Sequence, residues 1–158
     1  MRKNGFTLIE VLITLIFFAG ISLLGVISAS FLKYRNEGRL LVDEIKTAIQ
    51  YAKIQAITRG NPVYLSPLDK SLNWSKGVKL IQYNRKKNKE DLLYQWEWHH
   101  PRWSITWTGV NSLDKIMLSN SPVRAISNGK FIAFNSYTKE GLEIILNRLG
   151  RVKIKSSS

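Results

Sequence analysis

Met1-Arg2-Lys3-Asn4-Gly5-Phe6-Thr7-Leu8-Ile9-Glu10 opens the sequence, and from Phe6 an apolar run, FTLIEVLITLIFFAGISLLGVISASFL, continues to Leu32: 27 residues with one charge. At 1.5 Å per residue a helix of that length exceeds the roughly 30 Å of a bilayer core, so residues 6–32 read as a membrane-spanning segment. A secretory signal peptide would carry a shorter apolar region followed by a small-residue cleavage site, so the segment is expected to stay on the chain. Arg2 and Lys3 favour a cytoplasmic N-terminus by the positive-inside bias, against the opposing pull of Lys33, Arg35 and Arg39 on the far side. The expected placement is single-pass, with the C-terminal domain facing outward from the cytoplasm. Glu10 is the anomaly, because a carboxylate inside a membrane helix is costly unless it stays hydrated near the interface or finds a partner.

Beyond Leu32 the helical period persists. Leu41, Ile45, Ala48, Ile49, Ala52 and Ala56 recur at steps of three and four on one face, leaving Lys46, Lys53 and Arg59 for the other. Gly60, followed by Asn61 and Pro62, is a stop signal, since glycine suits the cap and proline cannot continue the ladder. The helix is expected over residues 6–59, with Gly20, Gly25 and Gly38 as points where it can bend.

After Pro62 the period falls to two. Strands are expected at residues 63–65, 78–83, 92–98, 104–108, 115–118, 123–126, 131–134, 142–146 and 151–154, with residues 85–89 an exposed hairpin loop and residues 156–158 fraying. No repeat or linker marks a second globular domain. Tyr94, Trp96 and Trp98 share one strand face and Trp103, Ile105 and Trp107 another. Both rows read as packing for a core or an inter-sheet seam; exposed, they could instead stack nucleobases.

Composition narrows the function classes. The chain has 24 Lys and Arg against 11 Asp and Glu, a formal +13. Setting aside Arg2, Lys3, Lys33 and Glu10 leaves 21 against 10, so an excess of +11 lies beyond the apolar segment, as suits a polyanionic partner. There is no cysteine, hence no disulfide and no thiolate metal site. His99 and His100 are adjacent, so their side chains point to opposite sides of a strand and suit no single metal site. Neither phosphate-binding glycine motif nor a nucleophile elbow occurs. No enzymatic activity, cofactor or metal is expected.

The closing stretch, residues 142–155, reads as a hairpin turning around Arg148-Leu149-Gly150. In its second strand Val152 and Ile154 alternate inward, so Arg151, Lys153 and Lys155 form an outward row that Arg148 extends. Cations about 7 Å apart along a strand repel one another, and their spacing is comparable to that of successive phosphates. The same row is also what an ordinary solvated edge strand uses against aggregation.

Gly5-Phe6-Thr7-Leu8-Ile9-Glu10 behind its short basic leader closely resembles the class III signal of type IV prepilins and type II secretion pseudopilins. The resemblance implies that a prepilin peptidase removes residues 1–5 by cutting between Gly5 and Phe6 and methylates the new amine of Phe6. Glu10 becomes the acid at the fifth mature position, pairing with the N-terminal ammonium of a neighbouring subunit and favouring correct register in a filament. The rest of the chain, through residues 48–59, Val63, Trp74 with Gly77, Phe134 with Gly141, and Gly150-Arg151-Val152, is similar to the FimT/GspH family of H-type minor pseudopilins. That similarity implies an α+β, type IV pilin-like fold: a long N-terminal helix, its first half transmembrane and its amphipathic half at residues 33–60. The helix would pack on an antiparallel β domain of two sheets at residues 61–158.

Family members linked to natural transformation carry a closing Gly-Arg-x-Arg that contacts DNA. Here it stands as Gly150-Arg151-Val152-Lys153, where lysine keeps a phosphate-binding charge and loses the bidentate fork. Two functions therefore share the expected fold. One is a minor pilin or pseudopilin that joins other minor and major pilins in a type II secretion pseudopilus or type IV pilus and supports protein secretion. The other is a DNA-receptor minor pilin using Arg148, Arg151, Lys153 and Lys155. A lipid role for the basic domain is weakened because that surface faces away from the anionic cytoplasmic leaflet.

Overall fold

The computed structural model describes residues 7–69, 71–84, 88–110, 112–120 and 127–157, with the backbone alone for 23–35, 156 and 157. It divides into two units, Met1–Glu37 and Gly38–Ser158. Helix α1 (Leu8–Arg59) contributes to both. In the first unit every described side chain from 7 to 22 is exposed. Among the described residues no helix is long and apolar enough to cross a membrane. The span expected at residues 6–32 includes Phe6 and the side chains of 23–32, which lie outside the described residues.

In the second unit the expected helix face is the buried one: Leu41, Ile45, Ala48, Ile49, Ala52 and Ala56 are each at most 2% exposed. The helix stops at Arg59, where Gly60 (φ +65°) supplies the left-handed cap. A Cβ at Gly38 would sit 3.1 Å from the Trp103 ring and 3.4 Å from Leu142, so the glycine serves a close approach of the helix backbone to the β domain.

Among the described residues eight strands follow: β1 (Val63–Pro67), β2 (Gly77–Asn84), β3 (Lys89–Glu97), β4 (Trp103–Gly109), β5 (Ile116–Leu118), β6 (Gly129–Asn135), β7 (Gly141–Leu146) and β8 (Val152–Ser157). They form two antiparallel four-stranded sheets, ordered β3-β2-β1-β5 and β4-β6-β7-β8. The strand expected at residues 123–126 and most of the expected loop at 85–89 lie outside the described residues. The α+β architecture of a long helix with two antiparallel sheets is the one expected from sequence, and a single buried cluster joins the helix face to the inner faces of both sheets.

One element was not foreseen. Residues Trp74–Lys76 form a short 3-10 helix capped by Asn73, whose side chain accepts from the Ser75 amide at 2.9 Å. Trp74, 1% exposed, leaves the chain between β1 and β2 of the first sheet and meets Phe131 and Trp107 of the second at ring separations of 5.4 and 6.3 Å. Beside it the Ser75 hydroxyl accepts from the Ile105 amide at 2.7 Å. This turn therefore ties the two sheets together through both packing and a hydrogen bond.

The aromatic rows divide. Trp103, Ile105 and Trp107 are buried, as core packing requires. In the other row Trp98 is buried, Trp96 is partly covered and Tyr94 is 48% exposed, because β3 is an edge strand; Tyr51 of α1 packs over it, 5.4 Å from Tyr94 and 5.5 Å from Trp96. His99 is exposed, whereas His100, in the connection between β3 and β4, reaches back to Glu44 of α1 at 3.0 Å and ties that loop to the helix.

Candidate functional site

Two places bear on function. The first is the start of α1. Gly5 and Phe6, the expected cleavage and methylation positions, lie outside the described residues. Glu10 is in the first helical turn and is occupied within its own chain: its Oε2 accepts from the Thr7 amide and the Thr7 hydroxyl, both at 2.9 Å, while the Glu10 amide donates to Thr7 Oγ1 at 3.4 Å. This is a capping box, with Thr7 as N-cap and Glu10 three residues on, and the negative carboxylate also suits the positive end of the helix dipole. The Thr-x-x-Glu spacing was visible in the sequence, but the membrane context drew attention to the charge rather than the cap.

The second place is the closing hairpin. β7 and β8 are joined by residues 147–151, and Asn147 organises that turn: its Oδ1 accepts from the Leu149 and Arg151 amides at 3.0 and 2.8 Å, and its backbone amide donates to the Arg151 carbonyl at 3.1 Å. From α1, the Lys53 ammonium donates to the Leu149 carbonyl at 3.1 Å and holds the tip to the helix. The turn presents Arg148 and Arg151, and β8 presents Lys153 and Lys155. All four are exposed, and among the described residues none of the four is ion-paired. Val152 packs against the core as expected, but Ile154, although opposite buried Ile144, is 41% exposed because β8 is the free edge of its sheet.

The register brings in two residues that sequence reading did not assign. Directly opposite residues in antiparallel strands share a face. Lys130 of β6 is opposite Ile145, which is opposite Lys153, and Glu143 of β7 is opposite Lys155. The outer face of the second sheet thus carries Lys130, Lys153 and Lys155 around Glu143. Lys130 Nζ lies 2.6 Å from Glu143 Oε1. That hydrogen bond holds the Glu143 carboxyl below its usual value, with the charges of Lys130 and Lys155 adding to the effect. Lys130, Glu143, Asn147 and Arg148 line one cleft, so the face is continuous with the hairpin tip. Alternation along residues 142–146 already turned Glu143 outward; only the pairing of β6 with β7 could place Lys130 beside it.

Among the described residues no group of three or more His, Asp or Glu could hold a metal ion. The family model described as type II transport protein GspH matches residues 41–150, from the buried helix face through both sheets to the turn at Gly150. The chain belongs to the GspH family. As a minor pseudopilin of this type it is a component of a pilus-like machine and assembles with other pilins.

Solved structures of similar fold agree. The type IV minor pilin FimU of Pseudomonas aeruginosa (strain PAO1) aligns with a TM-score of 0.62 at 15% identity, covering 78% of this chain and 95% of that one. A second crystal form of FimU gives 0.58 at 13%, covering 76% and 97%. The minor pseudopilin EpsH of the Vibrio cholerae type 2 secretion system aligns with a TM-score of 0.58 at 8% identity, covering 76% and 97%. At these identities the likeness is one of fold. No curated protein matches the chain in sequence. The GspH match ends before Arg151, so most of the basic row lies beyond the part of the chain that defines the family.

Proposed function

We propose that this GspH-family chain is a minor pilin or pseudopilin made as a prepilin, cut between Gly5 and Phe6 and N-methylated on Phe6 by a prepilin peptidase. It is held in the inner membrane through residues 6–32, with residues 61–158 in the periplasm, and is drawn into a type II secretion pseudopilus or type IV pilus that supports protein export. What supports this reading is the GspH match over residues 41–150 of a chain whose first residues resemble a prepilin-type signal. Intact-mass measurement of the membrane-extracted protein is expected to show a chain beginning at Phe6 and one methyl group heavier. A chain retaining Met1, or lacking the whole apolar segment, overturns the reading.

Glu10 has two jobs in this scheme, capping its own helix and offering a charge to a neighbour, and they can be separated. Glutamine can complete a capping box without the charge. Both Glu10→Ala and Glu10→Gln are therefore expected to insert in the membrane and fail to enter filaments, as measured by the amount of protein in sheared filament fractions. Normal incorporation of Glu10→Gln would assign Glu10 to the cap alone.

A second reading is favoured by one specific observation: Arg148, Arg151, Lys153 and Lys155 stand exposed on a hairpin whose turn is fixed by Asn147 and Lys53. In that reading the chain is a DNA-binding minor pilin that serves as a receptor for uptake, its cations contacting phosphates.

A further inference from the structure

We propose that Glu143 is a built-in counter-charge that restrains nucleic-acid binding by the outer face of the second sheet, a surface that extends from the hairpin across to Lys130. The inference rests on the DNA-binding reading and assigns to it two residues from outside the β8 row.

Glu143 sits between lysines of both neighbouring strands, bonded to Lys130 of β6 and opposite Lys155 of β8. Lys130 and Lys153 stand two strands apart, about 10 Å, and Lys153 and Lys155 two residues apart, about 7 Å. Without the Glu143 carboxylate the lysines of β6 and β8 make a phosphate-binding surface that reaches across β7. With Glu143 ionised, Lys130 is engaged and a phosphate approaching Lys155 meets a like charge at short range. Lys130 is 40% exposed and Glu143 25%, so the pair is reachable by a ligand and is not part of the buried core. Ile132 and Phe134, 36% and 43% exposed on the same face of β6, give that surface an apolar flank on which a base or sugar can rest.

A counter-charge at this position has a use. A domain with an excess of +11 beyond its apolar segment attracts any polyanion without discrimination. An acid placed among the lysines lowers that background while leaving Arg148 and Arg151 at the tip to make contact.

The test is the salt dependence of binding by the full chain in non-ionic detergent to a short mixed-sequence duplex, read by fluorescence anisotropy. Glu143→Gln frees Lys130 for one more phosphate, so the log-log salt slope is expected to steepen by about 0.9 and binding at 0.1 M salt to tighten about eightfold. Glu140→Gln makes the same change in net charge at an exposed position before β7, away from these lysines, and is expected to leave the slope unchanged. Adding Lys130→Gln to Glu143→Gln is expected to return the slope to the wild-type value. Thermal melts that match the wild type exclude a fold effect. If Glu143→Gln leaves the slope unchanged while the wild type binds, or if Glu140→Gln acts as strongly, the counter-charge inference falls and the DNA reading stands. If Glu143→Gln binds where the wild type does not, the inference holds and the receptor reading falls. If neither binds at low salt, both fall.

Discussion

Replacing Trp74 with alanine is expected to remove about 3–5 kcal/mol of folding stability, the range for truncating a buried aromatic ring. The site favours the upper part of that range. Trp74 is 1% exposed and belongs to the turn between β1 and β2, yet its ring rests edge-on against Phe131, at 5.4 Å and 77°, and near Trp107, both on the opposite sheet. Edge-to-face geometry adds about 0.5–1.5 kcal/mol beyond burial. A cavity at that point would be walled by two sheets, which cannot close on it without moving as bodies. Small domains hold only about 5–15 kcal/mol in all, so the variant should lose a large part of its margin. Denaturant unfolding of the full chain in non-ionic detergent measures the loss, with Tyr94→Ala, whose ring is 48% exposed at the edge of the first sheet, as the comparison. A loss for Trp74→Ala no larger than that of Tyr94→Ala would mean that the sheets are held by something other than this ring.

The part played by Trp74 marks where sequence reading reached its limit. The helix face was legible because a period of 3.6 is a local property: Leu41 to Ala56 repeat it without interruption, and Gly60 with Pro62 ends it. Strand positions were legible for a related reason, since alternation and turn residues are also local. Which strand pairs with which is not local. It depends on register chosen across the whole core, so the division of eight strands into β3-β2-β1-β5 and β4-β6-β7-β8 could not be read from the sequence. Nor could the meeting of Trp74 with Phe131, 57 positions later. Gly38 shows the same limit, because its purpose is a ring arriving from Trp103 rather than anything in its own helix.

The candidate sites follow the same division. Exposure of Arg151, Lys153 and Lys155 came from simple alternation, and the turn at Arg148 from its glycine. The Asn147 side-chain bonds and the Lys53 tether fix how the cations are presented, and they depend on packing of the hairpin against α1. Glu143 lay in plain view inside residues 142–155. Its meaning changed only when β6 brought Lys130 within 2.6 Å of it.

The fourfold set of exposed cations leads to the other large expected effect, a loss of DNA affinity when Arg148, Arg151 and Lys153 are all replaced by glutamine. If each neutralises one phosphate on a duplex, the log-log salt slope should flatten by about 2.7, and at 0.1 M salt binding should weaken roughly 500-fold, about 3.7 kcal/mol. Backbone contacts carry no sequence information, so every DNA sequence should lose affinity about equally. The fold should be nearly untouched: the substitutions leave the Asn147 bonds and the Lys53 tether in place, and exposed unpaired cations contribute at most a fraction of a kcal/mol each. Glutamine also retains the long side chains that cover the sheet edge. With Lys130 still bound to Glu143, only Lys155 would remain as an unpaired cation of the face, and a single lysine opposite a carboxylate is a poor phosphate site. The measurement is affinity at several salt concentrations together with thermal melts of both proteins. Wild-type protein that fails to bind DNA even at low salt, or a triple variant that binds with an unchanged slope, removes the receptor reading. The cations of β8 would then serve as charges that keep an edge strand from pairing with another chain, and the pilus-assembly role would stand without a nucleic-acid partner.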